Sequence, residues 1–396
     1  MIRTMKGATA TPRPPLWLAA GAVASGWAAV YSIGRWIAYF VQHPIHEDVR
    51  LIYVAAEAGR RYGWSTIYDE GTLRTLSSSF PADDRTIDSV LTYLHPPLLA
   101  WIFAPLTVFP EPVAYLLWTA ISVAALVFAW HLAAPYQGLA KLTLLLVAIG
   151  LWPVMQAFYY GQPTFLVIAL VAVTWWLIRQ DQMLAAGIAL ALATALKPQV
   201  VFMIPICLLV AGRFKAVVGW AGACAVLAVV GAVALGPAGL ASYWEALRLG
   251  QADVGHTFFT VAYLFGLHLG PATYAVLAVQ GIACLYVAWS RREDLDIVFA
   301  AGLLGTLMVS IHLHQPDYSN LVLAAWLVLR GTPSLAHRLW FGVGIVTMQV
   351  LTLGQPVPQL LWDAGWLTIL GVGGIKPRRE SLSHDRSAEP AAEPVV

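Results

Sequence analysis

The chain has 396 residues, of which 59% are hydrophobic and only 11% are charged, and its formal net charge is +2. A soluble globular domain carries roughly 25% charged residues, so this composition excludes a fold that exposes its whole surface to water. The small net charge and the lack of a basic tract give no reason to expect a nucleic-acid partner. The composition predicts an all-α, polytopic transmembrane helical bundle.

The N-terminal stretch is basic and leads into an apolar run that extends to about Val41. This run is longer than the 7–15 residues of a signal-peptide core, so it is interpreted as an uncleaved first span that starts in the cytoplasm. About twelve spans are predicted, at residues 16–41, 97–109, 112–134, 140–157, 162–178, 183–211, 215–236, 271–290, 296–314, 317–330, 339–354 and 359–375.

This count places most loop cations on the cytoplasmic side, as the positive-inside rule requires. They are Arg213, Lys215, Arg291, Arg292, Arg330, Arg338, Lys376, Arg378 and Arg379. Arg179 falls on the outer side instead. If residues 183–195 and 198–211 form two short helices, Arg179 returns to the cytoplasmic side, and an earlier segment then fails to cross.

A single integral membrane domain is predicted over residues 1–375, followed by a disordered cytoplasmic tail over 376–396. Two polar loops, 42–96 and 237–270, face the outside in this arrangement. The cytoplasmic connections are too short for a nucleotide-binding domain, and no Gly-rich phosphate loop is present. Any chemistry must therefore lie on the outer side and use substrates held in the bilayer.

Asp48 follows the first apolar run directly and is the leading candidate for a catalytic base. On a helix, Glu47 and Asp48 point about 100° apart, so only one of them can face a cavity. A carboxylate beside an apolar wall has a raised pKa, which helps it to take a proton from a hydroxyl group. The alternative is a solvated interfacial carboxylate, paired with Arg50.

Tyr93 and His95 precede two prolines where the first outer loop re-enters the membrane. They are expected either at the rim of a cavity or as part of an ordinary helix start. Further on, Gln162 lies between two spans, and Lys197 and Gln199 interrupt an apolar run. An ionisable residue inside a span is costly and indicates a functional role, so Lys197 is expected to contact substrate or carrier or to serve as a structural counter-ion.

His312, His314 and Asp317 lie between two late spans, and Arg248 and His256 lie in the second outer loop. Two histidines and an aspartate could bind a divalent metal, but residues two apart do not share a helix face. A hydrogen-bonding cluster that orients substrate or phosphate is the favoured interpretation, and no metal or cofactor is predicted. Three cysteines in apolar segments are expected to be small core residues.

Taken in order, several segments resemble bacterial glycosyltransferase family 87 of the GT-C superfamily. They are Asp48 with YVAAEAGRRYGWSTIYD, then YLHPPLLAWIFAPL, GQPTFLVIAL, AAGIALALATALKPQVVFMIPICLLVAGRFKA and HLHQPDYSNLVLAAWLVL. The usual Tyr-Pro-Pro of that family is His-Pro-Pro here, and a stretch common in its second outer loop is replaced around GHTFFTVAY. The resemblance implies a GT-C-like bundle that transfers a sugar from a polyprenyl phosphate, with inversion.

Carried over by motif, Asp48 matches the family's first-loop catalytic aspartate, and Gln162 matches its Gly-Gln pair. Lys197 and Gln199 match its Lys-Pro-Gln segment, and His314 with Asp317 matches its late cluster. The implied protein is a plasma-membrane hexosyltransferase, typically for mannose, whose active site faces outward. The acceptor is expected to be a lipid or glycan hydroxyl.

Two other classes of function are alternatives to a glycosyltransferase. In a transporter or lipid flippase for envelope precursors, Lys197 would be a gating charge in the middle of the membrane. Such transporters usually have matched halves, whereas the long outer loop occurs once here. In a scaffold for envelope assembly, the aromatic outer loops would be docking surfaces.

Overall fold

The structure is a computed structural model that describes residues 15–43, 47–78 and 93–372. Within these ranges the chain is helical and contains no β-strand, as the sequence predicted. The basic N-terminal residues 1–14 and the predicted tail 376–396 lie outside the described residues, as do residues 79–92 of the first predicted loop.

Sixteen α-helices are present in the described ranges. The first eight are α1 (Leu16–Gln42), α2 (Glu47–Tyr62), α3 (Glu70–Ser77), α4 (Pro97–Phe103), α5 (Glu111–Ala133), α6 (Gly138–Gly150), α7 (Trp152–Tyr160) and α8 (Thr164–Arg179). The next eight are α9 (Met183–Leu196), α10 (Met203–Val210), α11 (Phe214–Ala252), α12 (Pro271–Ser290), α13 (Leu295–Val309), α14 (Asn320–Arg330), α15 (Leu335–Val350) and α16 (Val357–Val372). Short 3-10 helices are found at Trp64–Thr66, Ala104–Val108, Pro198–Val200, Val254–Thr257, Val261–Phe265, Gln315–Ser319 and Leu351–Leu353.

Four of these helices, α1, α5, α11 and α12, are long and apolar enough to cross a membrane. The helices α6 and α7 form a fifth candidate span that is bent by 61°. With 23 residues, α5 is about 35 Å long at 1.5 Å per residue, which exceeds the roughly 30 Å hydrocarbon core. The protein is therefore a helical membrane protein.

Several of the predicted spans are shorter or more broken than the sequence indicated. Residues 97–109 form only α4 and a 3-10 turn, and residues 183–211 form two helices, α9 and α10. Pro198 ends α9 because proline cannot donate the next helical hydrogen bond. The count of twelve spans stays a prediction.

The bundle has two chemically different ends, which α8 connects. Gln162 lies two residues before the first residue of α8, Thr164, and Arg179 is the last residue of this helix. Sixteen helical residues separate the two ends by about 24 Å. Residues Arg179, Arg213, Arg291 and Arg330 line one cavity of about 1350 Å³, and we call this part of the bundle the basic end.

The favoured span count placed Arg179 on the opposite side from the other loop cations, and this was wrong. Arg179 shares the basic end with Arg213, Arg291 and Arg330. The physical reason is the break at Lys197, which divides one predicted span into two helices and reverses the chain once more. The alternative with two short helices anticipated this placement.

The first part of the second predicted outer loop, residues 237–270, is helical, because helix α11 continues to Ala252. The helix breaks at Gly236, which has a φ of 62°, and resumes at Pro237. Proline is well accommodated in the first turn of a helix. Residues 253–270 form the remaining loop, which is built from two 3-10 helices.

Small residues allow the backbones of α9 and α11 to come into direct contact. A Cβ atom at Gly187 would collide with the Ala216 carbonyl oxygen and the Trp220 amide nitrogen. Gly219 on α11 lies against the Leu184 backbone in the same way. Close approach through small residues is the usual way in which membrane helices associate.

We predict that Gly187→Ala destabilises the protein, because backbone atoms cannot move aside for the added methyl group. Overpacking of this kind costs about 1–3 kcal/mol. The matched control is Gly222→Ala on α11, where nothing lies within 4 Å of the added atom. Thermal unfolding in detergent should show a lower midpoint for Gly187→Ala alone, and equal midpoints would contradict the close approach.

Candidate active site

Asp48 lies in the first turn of α2, a helix that packs its apolar face onto the bundle through fully buried Val49 and Ile52. The Asp48 side chain is half-buried. Its Oδ2 atom accepts a hydrogen bond from the Gln162 Nε2 atom. Asp48 is thus fixed against the bundle and does not extend freely into solvent.

Gly161 makes this contact possible. It ends α7 with a φ of 64°, a conformation that glycine adopts without steric cost. A Cβ atom at Gly161 would collide with the side chain of Val49. The missing side chain therefore allows α2 to lie against the turn between α7 and α8, which places Asp48 beside Gln162.

Gln162 connects Asp48 to the interior of the bundle. Its Oε1 atom accepts a hydrogen bond from the Lys197 Nζ atom, while its Nε2 atom donates to Asp48. An ammonium group only donates and a carboxylate only accepts, so these two charged partners determine the orientation of the amide.

Lys197 is only 1% exposed and pairs with Asp317, which has no exposed surface. Lys197 follows the last residue of α9, where the free carbonyl groups of the helix end favour a positive charge. The backbone amide of His314 donates to the Asp317 Oδ2 atom over 2.8 Å. We call Asp48, Gln162, Lys197 and Asp317 the polar chain.

His95 approaches the same buried charges from the turn before α4. Burial, and secondarily the charge of Lys197, lowers the pKa of His95 to about 3. The Tyr68 hydroxyl donates to the His95 carbonyl oxygen over 2.7 Å. His95 is therefore a neutral imidazole near pH 7, able to donate or accept a hydrogen bond without adding charge.

Three more of the predicted residues lie together beside the polar chain. The ring centroids of His256 and His312 are 4.0 Å apart, and those of His312 and His314 are 5.2 Å apart. His256 and His314 are 5.1 Å apart. The loop of residues 253–270 and the loop after α13 thus meet at one point.

The structure does not bring every predicted residue into this cluster. Tyr93 is buried, its hydroxyl donates to the Pro96 carbonyl oxygen over 3.3 Å, and it lies within the core and not at a rim. Arg248 is 70% exposed and pairs with Glu245 over 2.8 Å. Gln199 is half-buried in the 3-10 helix next to Lys197.

A sequence profile of glycosyltransferase family 87 matches residues 93–311, which is more than half of the chain. The chain belongs to glycosyltransferase family 87. The matched segment includes His95, Gln162, Lys197 and His256, whereas Asp48 and Asp317 lie on either side of it. The protein is therefore a membrane glycosyltransferase.

Two curated relatives are similar to this glycosyltransferase. Both are named polyprenol-phosphate-mannose-dependent alpha-(1-2)-phosphatidylinositol pentamannoside mannosyltransferase. The protein from Mycolicibacterium smegmatis is 32% identical over 122 residues, which is 28% of this chain and 30% of that relative. The protein from Mycobacterium tuberculosis is 33% identical over 324 residues, which is 74% of this chain and 72% of that relative. No solved structure matches the chain.

One charged neighbour of the cluster was missed by the sequence reasoning. The Asp253 Oδ2 atom lies 3.6 Å from the His256 Nε2 atom, and its Oδ1 atom accepts from the Gly255 amide. The spacing of three residues between Asp253 and His256 was available in the sequence. This spacing did not identify Asp253 as a site residue, because the sequence does not show that its turn meets the loop after α13.

We predict that the buried ion pair between Lys197 and Asp317 stabilises the fold as a pair. Lys197→Met leaves a buried carboxylate without its cation, and Asp317→Asn leaves a buried ammonium, each at a cost of about 3–5 kcal/mol. The double variant should lose much less than the sum. Thermal unfolding of all four proteins in detergent measures this coupling.

Arg74→Ala is the control for this cycle, because Arg74 and Glu70 form an exposed pair on α3. Such pairs contribute about 0–1 kcal/mol. Additive losses from Lys197→Met and Asp317→Asn would contradict the proposed coupling.

Proposed function

We propose that this glycosyltransferase transfers a mannosyl residue from a polyprenyl-phosphate donor to a hydroxyl group of a lipid or glycan acceptor on the outer face of the plasma membrane. The relatives' names include a polyprenol-phosphate-mannose donor and a phosphatidylinositol-based acceptor. The grouping of arginines at the basic end supports a cytoplasmic location for that end, by the positive-inside rule. The polar chain then lies toward the outside.

Asp48 is the proposed general base. Its carboxylate takes the proton of the acceptor hydroxyl while the hydroxyl oxygen attacks the anomeric carbon of the sugar. The bond between that carbon and the phosphate oxygen breaks, and polyprenyl phosphate leaves with the electron pair. Because the phosphate already activates the sugar, neither a nucleotide nor a second acid is needed.

We propose inversion, because a single displacement by a hydroxyl that Asp48 deprotonates needs no nucleophilic carboxylate. Retaining enzymes with a covalent intermediate need a nucleophilic carboxylate in addition to an acid. Here Asp317 is fully buried and neutralised by Lys197, so it is not available as a nucleophile. One base and an in-line displacement invert the configuration.

The remaining predicted residues are assigned to the carrier and its phosphate. His95, His256, His312 and His314 provide hydrogen-bonding groups at the site, and Lys197 provides a buried positive charge. Arg248 is exposed on α11, a few residues before the loop of His256, where it can meet the phosphate at the membrane surface.

The single observation that carries the proposal is the hydrogen bond between Asp48 and Gln162. This hydrogen bond joins helix α2 to the turn between α7 and α8, which lies within the segment that the family profile matches. It also connects Asp48, through Gln162, to the buried pair of Lys197 and Asp317.

We predict that Asp48→Asn abolishes transfer, because an amide cannot accept the acceptor's proton. General-base catalysis typically contributes 10²–10⁴-fold, so a loss of at least about 100-fold is expected. The assay follows radiolabelled mannose from polyprenyl-phosphate mannose into envelope lipid with protein reconstituted in vesicles. Glu70→Gln, an exposed carboxylate on α3, should keep its activity. A fully active Asp48→Asn protein would remove the base from the mechanism.

We also predict that Gln162→Leu acts through Asp48. Leucine is of similar size but cannot bridge the carboxylate and the Lys197 ammonium. The turnover number should fall by about tenfold or more, since misplacing a catalytic group by 1 Å can cost about 100-fold, while KM for the donor changes little.

The combination with Asp48→Asn distinguishes this role from a general loss of stability. If Gln162 works by positioning Asp48, the double variant should be no slower than Asp48→Asn alone. A further loss of the same size in the double variant would show that Gln162 acts independently.

A further inference from the structure

His256, His312 and His314 form a cluster whose arrangement the transfer reaction does not by itself require. One nitrogen from each ring can be chosen such that all three lie within 4.8 Å of one another. His256 belongs to the 3-10 helix Val254–Thr257, and the other two lie between α13 and the 3-10 helix Gln315–Ser319. All three side chains are half-buried.

The cluster is held in place by backbone contacts between the two loops. The Leu313 amide donates to the His256 carbonyl oxygen over 3.0 Å. The Tyr318 hydroxyl donates to the Phe259 carbonyl oxygen over 2.9 Å. The Asp317 side chain also accepts from the His314 amide. The three rings are thus held together before any ligand binds. The His314 side chain also accepts from the Asp317 amide, and His314 would give up this hydrogen bond on binding an ion.

The hydrogen bonding of His256 also suits a metal ligand. Its Nδ1 atom is 2.7 Å from the Gly250 carbonyl oxygen. Because a carbonyl oxygen only accepts, Nδ1 carries the hydrogen and Nε2 presents its lone pair. Metal-binding histidines usually donate their second ring nitrogen to a carbonyl or carboxylate group in this way.

The distances fit a first-row divalent ion after a small contraction. A point equidistant from three atoms 4.8 Å apart lies about 2.8 Å from each, and Zn–N bonds are about 2.0–2.1 Å. Each imidazole would move inward by less than about 1 Å. The Asp253 carboxylate, 3.6 Å from the His256 Nε2 atom, adds a nearby negative charge.

We propose that His256, His312 and His314 bind one divalent transition-metal ion of the zinc class and leave at least one coordination position open. Three protein ligands with an open position are typical of catalytic zinc sites, whereas structural sites are closed by four. The sequence favoured a hydrogen-bonding cluster because it did not show that His256 joins the other two.

A role for the ion rests on the proposed function, whereas its binding does not. The cluster is linked to Lys197 through Asp317, which accepts from the His314 amide and pairs with Lys197. An oxygen of the carrier phosphate is a suitable ligand for the open coordination position. The ion would then stabilise the negative charge that develops on the phosphate as the sugar leaves.

Metal binding is tested on full-length protein that carries no histidine tag, purified in detergent and stripped with a chelator. Co²⁺ is titrated into the protein and followed by its visible absorption bands, and Zn²⁺ bound after desalting is measured by mass spectrometry. We expect one ion per chain. His256→Ala, His312→Ala and His314→Ala should each weaken binding by more than about tenfold.

The matched control is His268→Ala, an exposed histidine in the same outer loop, which should bind as the unaltered protein does. In case the alanine variants do not fold, His312→Cys replaces the ligand with a thiolate. It should keep the ion and add a sulfur-to-cobalt charge-transfer band. No bound ion in the unaltered protein, or binding that none of these variants alters, would overturn the site.

The transfer assay shows whether the bound ion takes part in the reaction. If stripped protein loses transfer and Zn²⁺ restores it, the ion takes part in the reaction. If the ion binds but stripped protein transfers mannose at the full rate, the phosphate role is wrong and the site stands. If the ion binds and no protein sample transfers mannose from polyprenyl phosphate, only the proposed function fails.

Discussion

A buried ammonium group in an apolar bundle requires a negative partner, and this requirement organises the centre of the protein. Lys197 meets it through Asp317 and through the side-chain oxygen of Gln162. The three residues come from different helix ends, which must therefore converge. Each of these ends is an irregular stretch, and irregular backbone at membrane depth is tolerated where it is buried in protein.

The position of Asp48 depends on that convergence. Gln162 is oriented by Lys197 on one side and contacts Asp48 on the other, although 114 positions of sequence separate it from Asp48. Gly161 lets helix α2 approach closely enough for the contact. A single carboxylate is thereby held at the edge of the bundle by groups that are themselves buried and paired. Such support is what keeps a catalytic group in a productive geometry.

The two ends of the helical bundle in this glycosyltransferase carry different kinds of polar side chains. One end gathers arginines around a large cavity, and none of the predicted site residues lines that cavity. The other end gathers the polar chain and the histidines. A helix such as α8 separates them by about 24 Å. The candidate site residues therefore lie at one end of the bundle, away from the arginines.

The sequence by itself determined the class of fold, because a chain so poor in charge can only bury itself in a membrane or in protein. It also indicated the individual polar residues, since Lys197 and Gln162 are conspicuous within apolar segments. Pro198 marked a break, but the sequence could not show whether the chain reverses there, and Arg179 was misplaced in the favoured count for that reason.

Only the tertiary structure decided which of these residues meet. Tyr93 and Arg248 looked as promising in the sequence as His95, yet one is buried in the core and the other is paired on the surface. The grouping of His256 with His312 and His314 joins two loops that are more than fifty residues apart. Contacts of this kind arise from helix packing and loop closure, and local residue patterns carry no information about them.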